Sequence, residues 1–167
     1  MTILNVPYIE AQPNNCGIAC IAMLVAYKTN VFLKVNKLAY KYKNSDNYID
    51  NIGWKHDSLI SILNKFGLHA YRAGEQSFLQ IIESVKQNNP VIVSLIVPKV
   101  NNLSIKGIYI PKNKLLSSTG HLCVIVGINN SDLMLHDPRN IGKYKNNLKI
   151  TFKEFQRVFT GRCIYLK

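Results

Sequence analysis

Apolar residues in the first half of the chain recur with the periodicity of helices. Residues 16–28 are apolar almost without interruption, which is typical of a helix that is buried on all sides. Residues 56–66 carry apolar side chains at helical spacing and precede Gly67, which suits a helix C-terminus. The pattern predicts further helices at residues 34–43, at residues 78–87 with Ser77 as a possible N-cap, and at residues 152–159.

Short β-branched runs dominate the second half of the chain. Residues 91–97 and 122–128 are two such runs, and each is predicted to be a buried strand. The turn-forming residues 129–131 join the second run to a strand at residues 133–136. Helices early and strands late predict an α+β fold with a mostly antiparallel sheet, in a single domain at residues 1–167. Shorter strands are expected at residues 68–72, 108–110 and 162–166.

The composition is that of a globular domain, with 47% hydrophobic and 18% charged residues. The longest apolar run, residues 18–27, is about half as long as a membrane-spanning helix, and the N-terminus lacks a signal-peptide pattern. Four cysteines are too few for a disulfide scaffold, and Cys20 and Cys123 lie inside apolar runs. A soluble protein of a reducing compartment therefore fits. The lysine-, asparagine- and isoleucine-rich composition is associated with an AT-rich bacterial or phage source, so we expect the bacterial cytoplasm for this chain, which is either complete or a fragment of a larger one.

The net charge of +12 is compatible with a nucleic acid, an anionic membrane surface or an acidic substrate as partner. The lysines are scattered among apolar residues, however, and no zinc-finger or RNA-binding signature accompanies them. A solvated basic surface is the preferred interpretation, and a nucleic-acid partner is not expected.

Cys16 is the first candidate for chemistry. Asn14 or Asn15 suits the N-cap position, which places Cys16 in the first turn of the predicted helix. There the helix dipole and the amide donors favour a thiolate. Gly17 lacks a side chain, so a substrate backbone could approach closely. The alternative is that Cys16 is only a small buried residue that starts a core helix.

A nucleophilic thiol needs a base, and the base needs a group that orients it. His121 precedes the predicted strand at residues 122–128, and Asp137 ends the next strand. If the turn is a three-residue hairpin loop, Ile128 pairs with Asp132. His121 then lies opposite position 139, and Asp137 is its diagonal neighbour on the same face. A shift of one residue would put the two on opposite faces.

Acyl transfer also requires donors that stabilise the oxyanion of the intermediate. The backbone N–H of Cys16 is one candidate, and the side-chain amide of Gln12, Asn14 or Asn15 is the other.

A zinc site is an alternative use of the thiols. Cys16, Cys20, His121 and Cys123 could supply four ligands, but their spacing matches no common structural zinc site. Neither a metal nor a cofactor is expected.

Residues 12–24, which read QPNNCGIACIAML, resemble the opening of the bacteriocin-processing cysteine peptidases and their free-standing papain-like relatives. Those peptidases open with a glutamine, a short spacer, Cys-Gly and a small-and-apolar helix. Residues 120–127 resemble the histidine strand of that family, and residues 136–139 resemble its Asp-Pro turn. Residues 56–71, 89–93 and 152–161 resemble further elements of the family, in the same order.

The resemblance implies a papain-like fold, a triad of Cys16, His121 and Asp137, and Gln12 as oxyanion donor. Only three residues separate Gln12 from Cys16, fewer than in the family pattern, so Asn14 and Asn15 stay alternatives. The implied function is hydrolysis of a peptide bond in a peptide or protein substrate, with removal of a double-glycine leader as one option. Transporter-linked members continue into a membrane segment and an ATPase, so association with a transporter is a further expectation.

Two other functions fit the same residues. A papain-like deamidase or acyltransferase would use the same triad on a partner protein, and a peptide-binding module would keep the cleft without catalysis.

Overall fold

The computed structural model describes residues 1–50, 52–72, 78–98, 118–139 and 146–167. The predicted strand at residues 108–110 and the predicted cap Ser77 lie outside these ranges. In the described parts of the chain, no helix has the length and apolar character needed to cross a membrane. The helices are α1 (Cys16–Thr29), α2 (Val35–Tyr42), α3 (His56–Lys65), α4 (Phe78–Lys86) and α5 (Phe152–Val158). The strands are β1 (Thr2–Ile3), β2 (Tyr48–Ile49), β3 (Gly53–Trp54), β4 (Ala70–Tyr71), β5 (Val91–Pro98), β6 (Ser118–Asn129), β7 (Asp132–His136), β8 (Leu148–Thr151) and β9 (Phe159–Leu166).

Seven of these strands form one sheet in the order β4-β9-β5-β6-β7-β8, with β1 paired to β6. All of the strand pairings in the described residues are antiparallel. Helices α1 to α4 precede the long strands in sequence, which confirms the predicted α+β fold. Strands β2 and β3 form a separate short hairpin that the hydrophobic pattern did not predict.

Helix α1 lies in the hydrophobic core and contacts α2, α3 and β6. Ten consecutive residues, from Gly17 to Ala26, are buried along it. A Cβ at Gly17 would lie 3.0–3.2 Å from side-chain carbons of Leu59 on α3 and Leu122 on β6. The expectation that Gly17 leaves room for a substrate is therefore wrong, because the core fills that space. Its missing side chain instead lets α1 begin close to β6.

The hairpin between β6 and β7 sets the face on which His121 lies. The predicted pairing of Ile128 with Asp132 is wrong, since Asp132 pairs with Asn129 and the loop has two residues. One extra residue in β6, between Ile125 and Gly127, then shifts the register back, so that Val124 pairs with position 136. This β-bulge restores the register that was predicted for the far end of the hairpin.

Candidate active site

Three segments bring Cys16, His121 and Asp137 together. Cys16 is the first residue of α1, His121 lies in β6, and Asp137 directly follows β7. Helix α1 contacts β6, and β6 pairs with β7. His121 and Asp137 are 5% and 0% exposed, whereas Cys16 is partly exposed. A partly exposed cysteine thus lies beside a buried histidine–aspartate pair.

The imidazole of His121 is hydrogen-bonded to Asp137 and also acts on the Cys16 thiol. Its Nε2 lies 2.7 Å from Oδ1 of Asp137, and because a carboxylate only accepts, Nε2 is the donor. The His121 side chain and the backbone at Gly17 and Leu122 lie close enough to the Cys16 sulfur to lower the pKa of the thiol. With Nε2 committed to Asp137, Nδ1 is the ring nitrogen that can exchange a proton with the thiol.

These contacts favour an ionised pair. Burial disfavours a thiolate at Cys16, but the His121 side chain, with the backbone at Leu122 and Gly17, outweighs it and lowers the pKa of the thiol below 9.0. Burial also disfavours the imidazolium, yet the Cys123 sulfur and the Asp137 carboxylate raise the pKa of His121 well above 6.5. Because burial raises the pKa of Cys123 to about 11, that thiol is neutral at neutral pH. Asp137 is therefore the charge that holds the proton on His121.

Asp137 is itself held by an arginine to which the sequence reasoning gave no role. Burial opposes ionisation of Asp137, but His121 and Arg139 together lower its pKa well below the usual range. Arg139 donates to both carboxylate oxygens of Asp137. The signal in the sequence was a basic residue two positions after an aspartate in a Pro-containing turn, a spacing at which the two side chains can meet.

The loop that carries Asp137 is tied to the segment that leads into α1. The backbone N–H of Ala11 donates to the carbonyl of Pro138 at 2.7 Å. His136 Nε2 lies 2.9 Å from the carbonyl oxygen of Val6 and so does not take part in the triad contacts. These contacts link the position of the thiol to the position of the carboxylate.

The candidate oxyanion donors lie in a tight turn before α1. The backbone N–H of Asn15 donates to the Gln12 carbonyl at 3.1 Å, and Asn14 has a positive φ of 64°. Asn15 occupies the N-cap position, but its side chain does not cap the helix, because its Oδ1 accepts from Trp54 Nε1 at 3.2 Å. Gln12 and Asn14 are exposed. The choice of the side-chain donor stays a prediction.

The other thiols near the site are unsuited to nucleophilic chemistry. Cys20 and Cys123 are fully buried, and burial raises the pKa of both. In the described residues Cys16 and Cys20 do not join a ligand cluster with His121 and Cys123, so the alternative zinc set is not assembled. Ligand atoms of His121, Cys123 and Asp137 lie within 4.8 Å of one another, but the oxygens of Asp137 already accept hydrogen bonds, which a metal ion would have to displace.

Comparison with solved structures identifies the fold. The crystal structure of a putative C39-like peptidase from Bacillus anthracis is 19% identical, with a TM-score of 0.72 over 99% of this chain and 96% of that chain. A double glycine motif protease from an AMS/PCAT transporter, crystallised with the leader peptide, is 19% identical, with a TM-score of 0.62 over 99% and 94%. The peptidase domain of Streptococcus ComA, a bi-functional ABC transporter involved in quorum sensing, is 19% identical, with a TM-score of 0.64 over 96% of each chain.

These likenesses confirm the predicted papain-like fold. No curated protein sequence matches the chain. The model of the Peptidase_C39 like family, in contrast, matches residues 3–162, which is nearly the whole chain. The protein therefore belongs to the C39-like peptidase family.

Proposed function

We propose that this protein is a cysteine peptidase in which Cys16 is the nucleophile, His121 the general base and acid, and Asp137 the group that orients His121. The observation that carries the proposal is the meeting of three side chains: His121 Nε2 lies 2.7 Å from Oδ1 of Asp137, and the same imidazole acts on the Cys16 thiol and lowers its pKa. It occurs in a chain whose family consists of C39-like peptidases.

The first half of the reaction forms a thioester. The Cys16 sulfur, having given its proton to Nδ1 of His121, attacks the carbonyl carbon of the scissile peptide bond. His121 then protonates the leaving nitrogen, the C–N bond breaks, and the amine product departs. Throughout this step Asp137 keeps the imidazole in one orientation through its bond to Nε2.

Water completes the reaction. His121 takes a proton from water, which attacks the thioester carbon, and the C–S bond breaks to release the carboxylic acid product. The proton on His121 returns to the Cys16 sulfur or stays in the ion pair, so the enzyme is regenerated.

Both tetrahedral intermediates need an oxyanion site. Cys16 is the first residue of α1, and the N–H groups of a first helical turn have no acceptor within the helix, so the Cys16 N–H can serve as one donor. Gln12 is our proposed second donor, with Asn14 and Asn15 as alternatives in the same turn.

The substrate that we propose to test first is a peptide with a double-glycine leader. This choice rests on the protease of the same fold that was crystallised with its leader peptide. An exporter is the corresponding candidate partner, because the two transporter-linked proteases share this fold.

The test is cleavage of such a leader peptide, followed by mass spectrometry. We expect two products whose masses sum to the substrate plus one water, and loss of turnover in Cys16→Ala. Cys163→Ala is the matched control, because Cys163 is a fully buried thiol in β9. Turnover that persists in Cys16→Ala would contradict the proposal.

The same spectra distinguish the alternative acyl chemistries. A mass increase of about one dalton on a glutamine of a partner protein would indicate deamidation, and a new covalent adduct between two substrates would indicate acyl transfer.

A further inference from the structure

Arg139 donates hydrogen bonds to both oxygens of the Asp137 carboxylate. Its backbone N–H donates to Oδ1 at 3.0 Å, and its Nε lies 3.1 Å from Oδ1 and 3.0 Å from Oδ2. Its Nη2 donates to Oδ2. The arginine side chain is 23% exposed and Asp137 is fully buried, so solvent screens this ion pair only weakly.

These hydrogen bonds fix the rotation of the Asp137 carboxylate. Oδ1 accepts from His121 Nε2 and from Arg139, while Oδ2 accepts from the guanidinium alone among the described residues. A planar guanidinium that donates to both oxygens holds the carboxylate in one plane, which a single point charge would not do. The oxygen that orients His121 therefore has a defined direction.

The arginine is also attached to the segment before the nucleophile. The Tyr8 hydroxyl donates to the Arg139 carbonyl at 3.4 Å, and the adjacent carbonyl of Pro138 accepts from Ala11. The charge of Arg139 interacts with the Cys16 sulfur as well as with Asp137. Arg139 is thus linked to both ends of the proposed triad.

We propose that Arg139 is a positioning residue of the active site, which fixes the carboxylate of Asp137 and adds a positive charge that favours the Cys16 thiolate. The inference rests on the proposed function of Cys16, His121 and Asp137. The planar set of N–H donors of the guanidinium fixes the carboxylate, and its positive charge favours the thiolate.

The two roles have separable consequences. Loss of the positive charge raises the pKa of Cys16 and that of His121, because a nearby cation favours the thiolate and disfavours the imidazolium. Both limbs of a pH–rate profile then move to higher pH. Replacing the guanidinium by a group that keeps the charge but lacks the planar set of donors lowers the reaction rate. Both limbs of the pH–rate profile then stay at the same pH.

Other titratable groups around the pair do not obscure this effect. Cys20 on α1, Cys123 on β6 and Tyr8 before α1 all have a pKa raised by burial, so they stay neutral near neutral pH. Asp137 stays ionised throughout that range, because its pKa is lowered. Arg139 is then the cation near the pair whose removal changes the local charge.

The experiment compares Arg139→Met and Arg139→Lys with the unmodified full-length chain. The rate of Cys16 alkylation by iodoacetamide is followed from pH 4 to pH 10, with peptide mapping to locate the label. For Arg139→Met we expect the midpoint to rise by about one pH unit. For Arg139→Lys we expect an unchanged midpoint and a fall in kcat/KM of about 10- to 100-fold, as for other residues that orient a functional ligand. Arg157→Met, which removes an exposed arginine on α5, is the matched control.

Each outcome bears on a different claim. An unchanged alkylation midpoint in Arg139→Met, together with unchanged turnover in Arg139→Lys, would overturn the role of Arg139 and leave the peptidase proposal standing. A shifted midpoint in Arg139→Met, together with a wild-type chain that cleaves no peptide, would overturn the peptidase proposal and retain the role of Arg139. If Arg139→Met does not fold, as judged by circular dichroism, Arg139→Lys decides, since wild-type turnover there contradicts the inference.

Discussion

The two sides of the candidate site differ in burial and in the density of their hydrogen bonds. On the sheet side, His121 and Asp137 are buried, and the carboxylate accepts from both the imidazole and Arg139. On the helix side, Gln12 and Asn14 are exposed in a tight turn that leads to a partly exposed Cys16. The difference teaches that the sheet would set the geometry of the proposed proton transfer, whereas the exposed turn leaves room for the proposed substrate. Changes on the sheet side should therefore cost both activity and stability, and changes of the exposed turn residues Gln12 and Asn14 should cost activity alone.

The largest effect is expected for Asp137→Asn. This change keeps the shape of the side chain but removes the charge that holds the proton on His121, and it leaves Arg139 without its partner. We expect kcat to fall by about 10²- to 10⁴-fold, and the free energy of unfolding to fall by about 3 kcal/mol, as for other broken buried pairs. Asp132→Asn, in the same hairpin but only partly buried, is the control. Steady-state kinetics and urea unfolding measure the two losses, and equal behaviour of the two variants would contradict the account.

The acid sensitivity of the fold sharpens the same prediction. The folded-state pKa of Asp137 lies below its ordinary value of 3.8, so its stabilising contribution is present above that pH and is lost as the pH falls below it. Unfolding of the wild-type chain should thus become easier below about pH 4, whereas Asp137→Asn lacks this part of the acid dependence. Parallel stability curves for the two proteins from pH 6 down to pH 2 would contradict this assignment.

The turn before α1 should respond in activity alone. Gln12→Ala removes the proposed oxyanion donor, and we expect kcat to fall by about 10²- to 10³-fold with little change in stability. Asn14→Gly is the matching substitution for the alternative donor Asn14. It removes the side-chain amide, and glycine accepts the positive φ of 64° at this position. A loss of activity that occurs only in Asn15→Ala would assign the role of oxyanion donor to Asn15 instead of Gln12.

The smallest effect is expected for a glycine of β6. A Cβ at Gly127 would lie 2.9 Å from the carbonyl oxygen of Thr2, whereas a Cβ at Gly120 would meet no atom of the described residues within 4 Å. Gly127→Ala should therefore push β1 away or distort the bulge, at a cost of about 1–3 kcal/mol in unfolding free energy. Thermal unfolding of the two alanine variants measures this difference, and equal melting temperatures would show that the sheet side tolerates more than we infer.

Long elements were predictable because their patterns are long. Helix α1 was predicted at residues 16–28 and spans Cys16–Thr29, and the run at residues 91–97 became Val91–Pro98. Strands β1 and β2 have two residues each, too few to show any alternation. Their positions depend on tertiary pairing, which local sequence does not encode.

The contacts of individual side chains were less predictable than the elements that carry them. The hairpin loop was predicted one residue too long. The bulge in β6 offsets this error, so the strand register beyond the bulge, toward His121, is the predicted one. Asn15 does not cap α1 because Trp54, distant in sequence, takes its oxygen. Neither a bulge nor a distant partner of this kind leaves a periodic signal, so the predicted proximity of His121 and Asp137 depended on a compensation that the sequence pattern did not show.

The central claim is that His121, held by Asp137, turns the Cys16 thiol into a thiolate near neutral pH. The most direct test is the rate at which iodoacetamide alkylates Cys16 as a function of pH, in the wild-type chain and in His121→Gln. The account predicts a wild-type midpoint below the ordinary thiol pKa of 9.0, and a higher midpoint once the imidazole is gone, because burial then acts without the opposing effect of His121. Identical profiles in the two proteins would contradict it.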